Sequence, residues 1–263
     1  MSTLCITNQK GGVGKTTTAI SLGAALALHG SRVLLVDLDP QGNATSGLGV
    51  RRQDVERGTY GVLLQDQPIS QATLQTSVEG LDLLPSSPEM AGVEVELVPA
   101  LAREFRLRAA LEAASHYDTI LVDCPPSLGL LTINALAAAD AVLVPVQCEY
   151  YALEGLAQLM TTIEAVRRRL NPRLEVLAIV LTMADARNRL SMQVIEEVHR
   201  HFPDLVARVR IPRTVRLAEA PSHGLPITSY DPQSRGAQAY ADLAQELSAR
   251  LASRSPIALG AAR

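Results

Sequence analysis

A chain of 263 residues, 47% hydrophobic and 19% charged, can bury a sizeable core, and one large α/β domain suits that length better than two small ones. No apolar run approaches the roughly 18 residues of a membrane span, and the opening residues read as a strand, not a signal peptide, so an integral membrane role is excluded and a cytoplasmic one expected. The formal net charge of −3 argues against a nucleic-acid binder if it is spread evenly, and its distribution therefore matters.

In chain order, residues 4–7 form a short apolar run predicted to be a strand. It is followed by Gln-Lys-Gly-Gly-Val-Gly-Lys-Thr-Thr-Thr at 9–18 and by an alanine-rich helix predicted over 19–29 and closed by Gly30. Strand, glycine loop and helix in that order gather unpaired backbone N–H groups and a helix N-terminus around one small volume, which favours phosphate. Lys15 adds a point charge for the β- and γ-phosphates and the Thr16 hydroxyl a ligand for Mg²⁺, while Gly11, Gly12, Val13, Gly14 and Thr17 complete the cradle. The strict P-loop pattern has glycine where this chain has Gln9, and a second lysine, Lys10, precedes the glycine pair. Lys10 and Lys15 are the only lysines among 24 basic residues. A compact ammonium reaches a crowded phosphate where a planar guanidinium does not fit.

Residues 32–37 read as a buried strand ending in Asp37, which empties into a loop carrying Asp39, Pro40 and Gly42. Residues 51–80 are polar and weakly periodic, predicting short surface helices. Further strands are predicted over 81–84, 119–123, 141–146, 174–182 and 206–211, and helices over 101–114, 130–138, 153–170, 190–201 and 236–251. This alternation predicts an α/β fold with a doubly wound, mainly parallel sheet flanked by helices. Residues 1–252 read as a single P-loop domain and 253–263 as a flexible tail. Cys5, Cys124 and Cys148, widely spaced in or beside apolar runs, predict reduced core thiols and neither a disulfide framework nor a metal site.

Three acids sit at or just past strand ends, where a doubly wound sheet places its ligand. Asp37 and Asp123 end strands and Asp39 lies two residues beyond the first. An apolar strand ending in Asp123 after a P-loop has the form of a Walker B segment, which holds Mg²⁺ largely through water. One acid near the metal and one near an attacking water suffice for phosphoanhydride hydrolysis, where positioning and charge stabilisation dominate. Basic charge is concentrated: between residues 165 and 216 eleven arginines face five acids. That predicts either a polyanion-binding region on an acidic protein or solvated helix faces paired with nearby acids.

The loop at 10–16 resembles the deviant Walker A signature of the ParA/MinD/Mrp ATPases. With it, Asp-Leu-Asp-Pro-Gln-Gly-Asn-Ala-Thr at 37–45, Asp-Cys-Pro-Pro-Ser-Leu at 123–128, Pro-Val-Gln-Cys-Glu-Tyr-Tyr-Ala-Leu-Glu-Gly at 145–155 and Ile-Pro-Arg-Thr-Val-Arg-Leu-Ala-Glu-Ala-Pro-Ser-His-Gly at 211–224 are similar to the chromosomal ParA family of the Soj type, from about residue 4 to 250. The resemblance implies an ATPase using ATP and Mg²⁺, with Lys15 and Thr16 on phosphate and metal, Asp39 as the acid needed for hydrolysis and Asp123 as the Walker B acid. It implies that Lys10 reaches the nucleotide of a partner subunit, that Gly11 and Gly12 let two P-loops face each other in an ATP sandwich homodimer, and that Glu149 touches the partner's ribose. Met183 and Pro212 would flank the adenine, and Arg187 and Arg216 would bind double-stranded DNA without sequence preference. A ParB-type centromere-binding partner would stimulate hydrolysis and release the DNA, so that a cytoplasmic, nucleoid-associated cycle segregates origins. Dimerisation would double the phosphate contacts and so raise DNA affinity and its salt sensitivity steeply.

Four other readings are weaker. A MinD-like membrane ATPase needs a basic amphipathic C-terminal helix with bulky apolar residues, whereas the last residues here are broken by Pro256 and Gly260. An iron protein of nitrogenase type needs paired cluster cysteines in a pattern that Cys124 and Cys148 do not follow, and a P-loop tyrosine kinase needs a terminal tyrosine cluster where this chain has Tyr230 and Tyr240 alone. A ParA-like protein that positions another cargo is separated only by the Soj-type motifs.

Overall fold

Seven strands line up in the order β3-β4-β2-β5-β1-β6-β7 in a computed structural model that describes residues 1–149 and 152–253. They are β1 (Ser2–Ile6), β2 (Val33–Asp37), β3 (Leu74–Gln75), β4 (Leu81–Leu84), β5 (Thr119–Asp123), β6 (Ala141–Gln147) and β7 (Glu175–Thr182). All pairings are parallel except the two-residue edge pairing of β3 with β4. The doubly wound, mainly parallel sheet is therefore as expected. From residue 254 on, the expected flexible tail lies outside the described residues.

The central strands are buried on both faces because period-two side chains are apolar on each. Leu34 and Val36 of β2 enter one core with Ile120, Val122, Val142 and Val144, and Val33 and Leu35 enter the other with Leu121 and Leu143. The second core is covered by helix α1 (Lys15–Leu28) and the terminal helix Arg235–Ala252. Gly23 lets α1 sit close to the sheet, since a Cβ there would lie 3.2 Å from Leu81 Cδ1. The order matters for the site: β1 lies between β5 and β6, so the chain winds one way from β1 through β2 and the other through β6 and β7. The loop after β1 thus opens at the switch point of the sheet.

Strands over 81–84 and 119–123 and the helix over 130–138 are observed as expected. Four local expectations are corrected. Helix α1 begins at Lys15, four residues before the apolar periodicity, because Gly14 in the left-handed conformation (φ 85°) turns the chain directly into helix. The helix expected over 101–114 reduces to Arg106–Leu111 with a following 3₁₀ turn. Its start is set from outside: Asn134 accepts the Leu107 N–H at 3.2 Å and donates to the Arg103 carbonyl at 2.7 Å. The polar 51–80 stretch carries, besides short helices, the unforeseen β3.

Residues 206–211 do not form a strand. They run beside β7 with one isolated bridge, Val206 to Ile179. The Ala207 N–H bonds Ile179 O and the Ile211 N–H bonds Leu181 O, four residues against two, so the segment bulges between them. The bulge is held open by Glu246 of the terminal helix, whose carboxylate accepts the Arg208 and Val209 N–H groups at 3.0 and 3.1 Å. A hydrophobic run paired with an acid 38 residues away cannot be read as non-strand from its own composition.

Candidate nucleotide site

The parallel register brings the carboxyl ends of β1, β2 and β5 to one edge, where Ile6 pairs with Asp123 and Asp123 with Asp37. The glycine loop follows β1 there, with Gly12 (φ 73°) and Gly14 (φ 85°) both left-handed, and α1 points its N-terminus into the same space. A cleft of about 520 Å³ is lined by Gly11, Gly12, Gly14, Lys15, Thr16, Thr17 and Asp39, with Gln41, Asn43, Ser46 and Pro126 opposite. Val13 is buried beneath the loop, its carbonyl accepting the Thr182 hydroxyl at 2.8 Å. The structure thus brings together the cradle residues and Asp39 as the sequence suggested. The further lining comes from Gln41 and Asn43 of the Asp-Pro-Gln-Gly-Asn segment and from Ser46 on the short helix Asn43–Gly47, and the sequence gives no sign of which face they present.

Asp123 and Asp37 do not line this cleft but are fully buried next to its lining residues Thr16 and Asp39. Both oxygens of Asp123 are buried with no hydrogen-bond partner among the described residues. Burial, and next the neighbouring Asp37, pushes the Asp123 carboxyl well above the ordinary carboxylate range, with Thr16 and Lys15 opposing. Asp37 is pushed up to about 6, chiefly by burial. Lys15, 6% exposed, is held below the usual lysine value by burial, against the pull of Asp123, Cys124 and Asp39, and its Nζ donates to the Lys10 carbonyl at 3.1 Å. An orphaned carboxylate beside a threonine hydroxyl and a lysine is the donor set of a hard cation bound with phosphate, so the residues fit Mg²⁺ and a polyphosphate.

Lys10 does not join this cleft. Its ammonium lies 3.2 Å from Glu149 Oε2, at a separate cavity of about 440 Å³ shared with Cys148, Asp185, Asn188 and Arg213. Arg213, which sequence reasoning passed over, also faces Glu149 at 3.6 Å. Met183 and Pro212 line a third, largely apolar cavity of about 390 Å³ with Ile211, Leu217 and Tyr240, floored by a 3.1 Å contact between Tyr240 Oη and Thr18 Oγ1. Met183 borders all three cavities from a left-handed backbone (φ 51°), a conformation costing about 1 kcal/mol or more for a non-glycine residue. An apolar cavity with room for a purine next to a phosphate cradle is what a nucleotide requires.

The two matched arginines lie outside these cavities. Arg187, its side chain 92% exposed, lies 3.3 Å from the neighbouring Asp185. Arg216, on the short helix Val215–Glu219, is flanked by Glu219 at 3.2 Å and Asp231 at 3.5 Å. The arginine-rich stretch is also split. Arg167, Arg168 and Arg200 pair with acids on their own helices, and Arg173 precedes β7 while Arg187 follows it. Eight strand residues at about 3.3 Å each put some 25 Å between those ends. The reading of helix faces paired with nearby acids therefore holds for these helices, and Arg187 and Arg216 lie apart from them, each beside an acid of its own.

Comparison with known proteins agrees with this geometry. A model described as an AAA domain matches residues 1–176. The sporulation initiation inhibitor protein Soj of Bacillus subtilis is 59% identical over 247 residues, spanning 94% of this chain and 98% of the relative. The chain belongs to the Soj/ParA family of chromosome-partitioning ATPases. The chromosome partitioning protein ParA of Caulobacter vibrioides is 54% identical over 94% of each chain. Among solved structures, that of a cobyrinic acid a,c-diamide synthase from Mycobacterium smegmatis, with a bound ATP analogue and magnesium, matches with TM-score 0.85 and 40% identity over 96% of both chains. No helix among the described residues is long and apolar enough to cross a membrane. Cys5, Cys124 and Cys148 are free and buried.

Proposed function

We propose that this chain is a chromosome-partitioning ATPase that binds ATP with Mg²⁺, dimerises around it, and in that state binds DNA without reading its sequence. Lys15, Thr16 and the loop N–H groups hold the phosphates, Thr16 and Asp123, with Asp39, the metal, and Met183 and Pro212 the base. Mg²⁺ held by these residues would supply positive charge that offsets the charge on the phosphates during hydrolysis. Asp39 orients the attacking water. Hydrolysis is slow in the isolated protein and stimulated by a ParB-type partner, releasing DNA and returning the protein to the cytoplasm.

The observation that carries the dimer is the separation of the two lysines. Lys15 is buried in the phosphate cleft, whereas Lys10 is turned to Glu149 at a separate cavity. A loop that spends one of its two lysines outside its own cleft fits a second nucleotide in the facing subunit. Gly11 supports the same reading, since a Cβ there would meet nothing within 4 Å and its φ is not left-handed, so nothing within the chain requires glycine. An amidation activity, of the kind a diamide synthase such as the mycobacterial one would carry, finds no support in the thiols. Burial holds those of Cys124 and Cys148 above the usual value, and neither is an exposed thiolate that would release ammonia from glutamine.

Sedimentation of wild type and Lys10→Ala with ADP, ATP, and ATP plus DNA tests this reading. Wild type should dimerise on ATP alone and bind DNA less tightly as salt rises. Lys10→Ala should bind ATP as a monomer, and an ATP-dependent dimer of normal affinity from that variant would refute the assignment.

A further inference from the structure

The Asp37–Thr45 motif contains two residues to which the cleft assigns no contact with a ligand, and their hydrogen bonds close a ring around Asp39. Asp37 Oδ1 accepts the Asp39 N–H at 3.1 Å. Asp37 Oδ2 accepts both the Thr45 N–H, at 2.8 Å, and the Thr45 hydroxyl, at 2.6 Å. The Thr45 oxygen in turn accepts the Ser86 N–H at 2.9 Å, and the Ser86 hydroxyl donates to the Asp39 carbonyl at 2.8 Å. Asp39 is thus pinned by the peptide groups on both sides of its Cα, and its Oδ1 accepts the Gln41 N–H at 2.9 Å. Asp37, Thr45 and Ser86 are buried, so each of these bonds forms away from competing water and leaving one unmade is costly.

Ser86 lies two residues beyond β4, Asp37 at the end of β2 and Thr45 on the short helix Asn43–Gly47. The ring therefore ties the loop carrying Asp39 to two strands of the rigid sheet. We propose that Thr45 and Ser86 are positioning residues for hydrolysis, holding the Asp39 carboxylate at the place of the attacking water through the Asp37–Thr45–Ser86–Asp39 ring. This inference rests on the proposed role of Asp39. It separates two demands on one cleft: the P-loop holds nucleotide, while the ring sets turnover and leaves nucleotide affinity alone. The Thr45 hydroxyl is the joint of the ring because it alone both donates to Asp37 and accepts from Ser86, whereas its methyl group makes neither bond.

The test compares ATP turnover, KM and thermal melting of wild type, Thr45→Val, Thr45→Ser, Ser86→Ala and Asp39→Ala. Thr45→Val keeps the shape and removes the hydroxyl, so kcat should fall at least tenfold while KM for ATP stays within about threefold and the ATP-dependent dimer accumulates. Thr45→Ser restores the hydroxyl and should recover kcat to within about threefold of wild type. Ser86→Ala, which removes only the bond to the Asp39 carbonyl, should show a smaller fall of the same kind, and it serves as the test if Thr45→Val fails to fold. Wild-type kcat in Thr45→Val, or in Ser86→Ala in its place, with an inactive Asp39→Ala, would overturn the positioning role. So would loss of ATP binding in step with melting temperature. Normal turnover in Asp39→Ala would instead overturn the reading of Asp39 on which the ring depends.

Discussion

The phosphate cleft and the arginine-bearing outer face carry charge in opposite ways. At the cleft Lys15 is buried, as are the neighbouring Asp37 and Asp123, and Asp123 has no partner for either oxygen among the described residues. On the outer face, Arg187 and Arg216 are mostly exposed and each already lies beside an acid. Uncompensated buried charge is costly until a ligand arrives, so the cleft stores affinity for a charged ligand at the expense of the unliganded fold. Exposed paired charge costs little and contributes little on its own, so binding of a polyanion there would depend on the number of such charges and weaken with salt.

Removing the buried ammonium should break the comparison most severely. Lys15→Ala should weaken ATP binding by about 100-fold or more, roughly 3 kcal/mol, as loss of a desolvated charge-assisted contact does. Retained tight binding in calorimetry would contradict the cleft assignment.

Charge reversal on the outer face should act more gently. Arg187→Glu should reduce DNA affinity and lower the salt slope by about one in each subunit, leaving ATP-dependent dimerisation intact. Arg216→Glu should have the smaller effect, since Glu219 and Asp231 already offset that charge. Arg168→Ala, whose partner Glu164 lies on the same helix beyond the far end of β7, should leave DNA retention unchanged. Equal losses from all three, measured by filter binding at two salt concentrations, would show that the face is not divided as described.

The smallest expected effect has a sign that only an over-charged cleft predicts. Asp123 has a folded pKa raised above its unfolded value, so ionising it costs stability as pH climbs past the unfolded carboxylate value near 4. Asp123→Asn keeps the shape of the protonated form. The nucleotide-free variant should therefore melt higher than wild type at pH 8, by about 1 kcal/mol or 2–4 °C, with the gap closing towards pH 4, while stabilisation by ATP and Mg²⁺ is lost. A lower melting point at pH 8 would show that the carboxylate is compensated after all.

Much of this was legible in the residues. Lys10, Lys15 and Thr16 follow a glycine pattern whose backbone chemistry is local, and β2 and β5 are apolar runs that end in Asp37 and Asp123. Such features depend on neighbours in sequence, so the chain alone determined the winding of the sheet, the phosphate cradle and the acids at its edge. The tertiary structure decided what depends on partners distant in sequence. Glu246 turned the apolar 206–211 run into a bulge, and Asn134 set the start of the Arg106–Leu111 helix. Packing buried Asp37 and Asp123 and so raised both carboxyls, and register set Asp37 against Asp123 to raise the latter further. Glu149, 139 residues away, drew Lys10 out of the cleft that its sequence neighbours form. Local patterns are set by backbone sterics and periodicity, which the sequence carries directly. Buried charge and long-range hydrogen bonds are set by which groups the fold brings within about 3 Å, and only the packed molecule defines that.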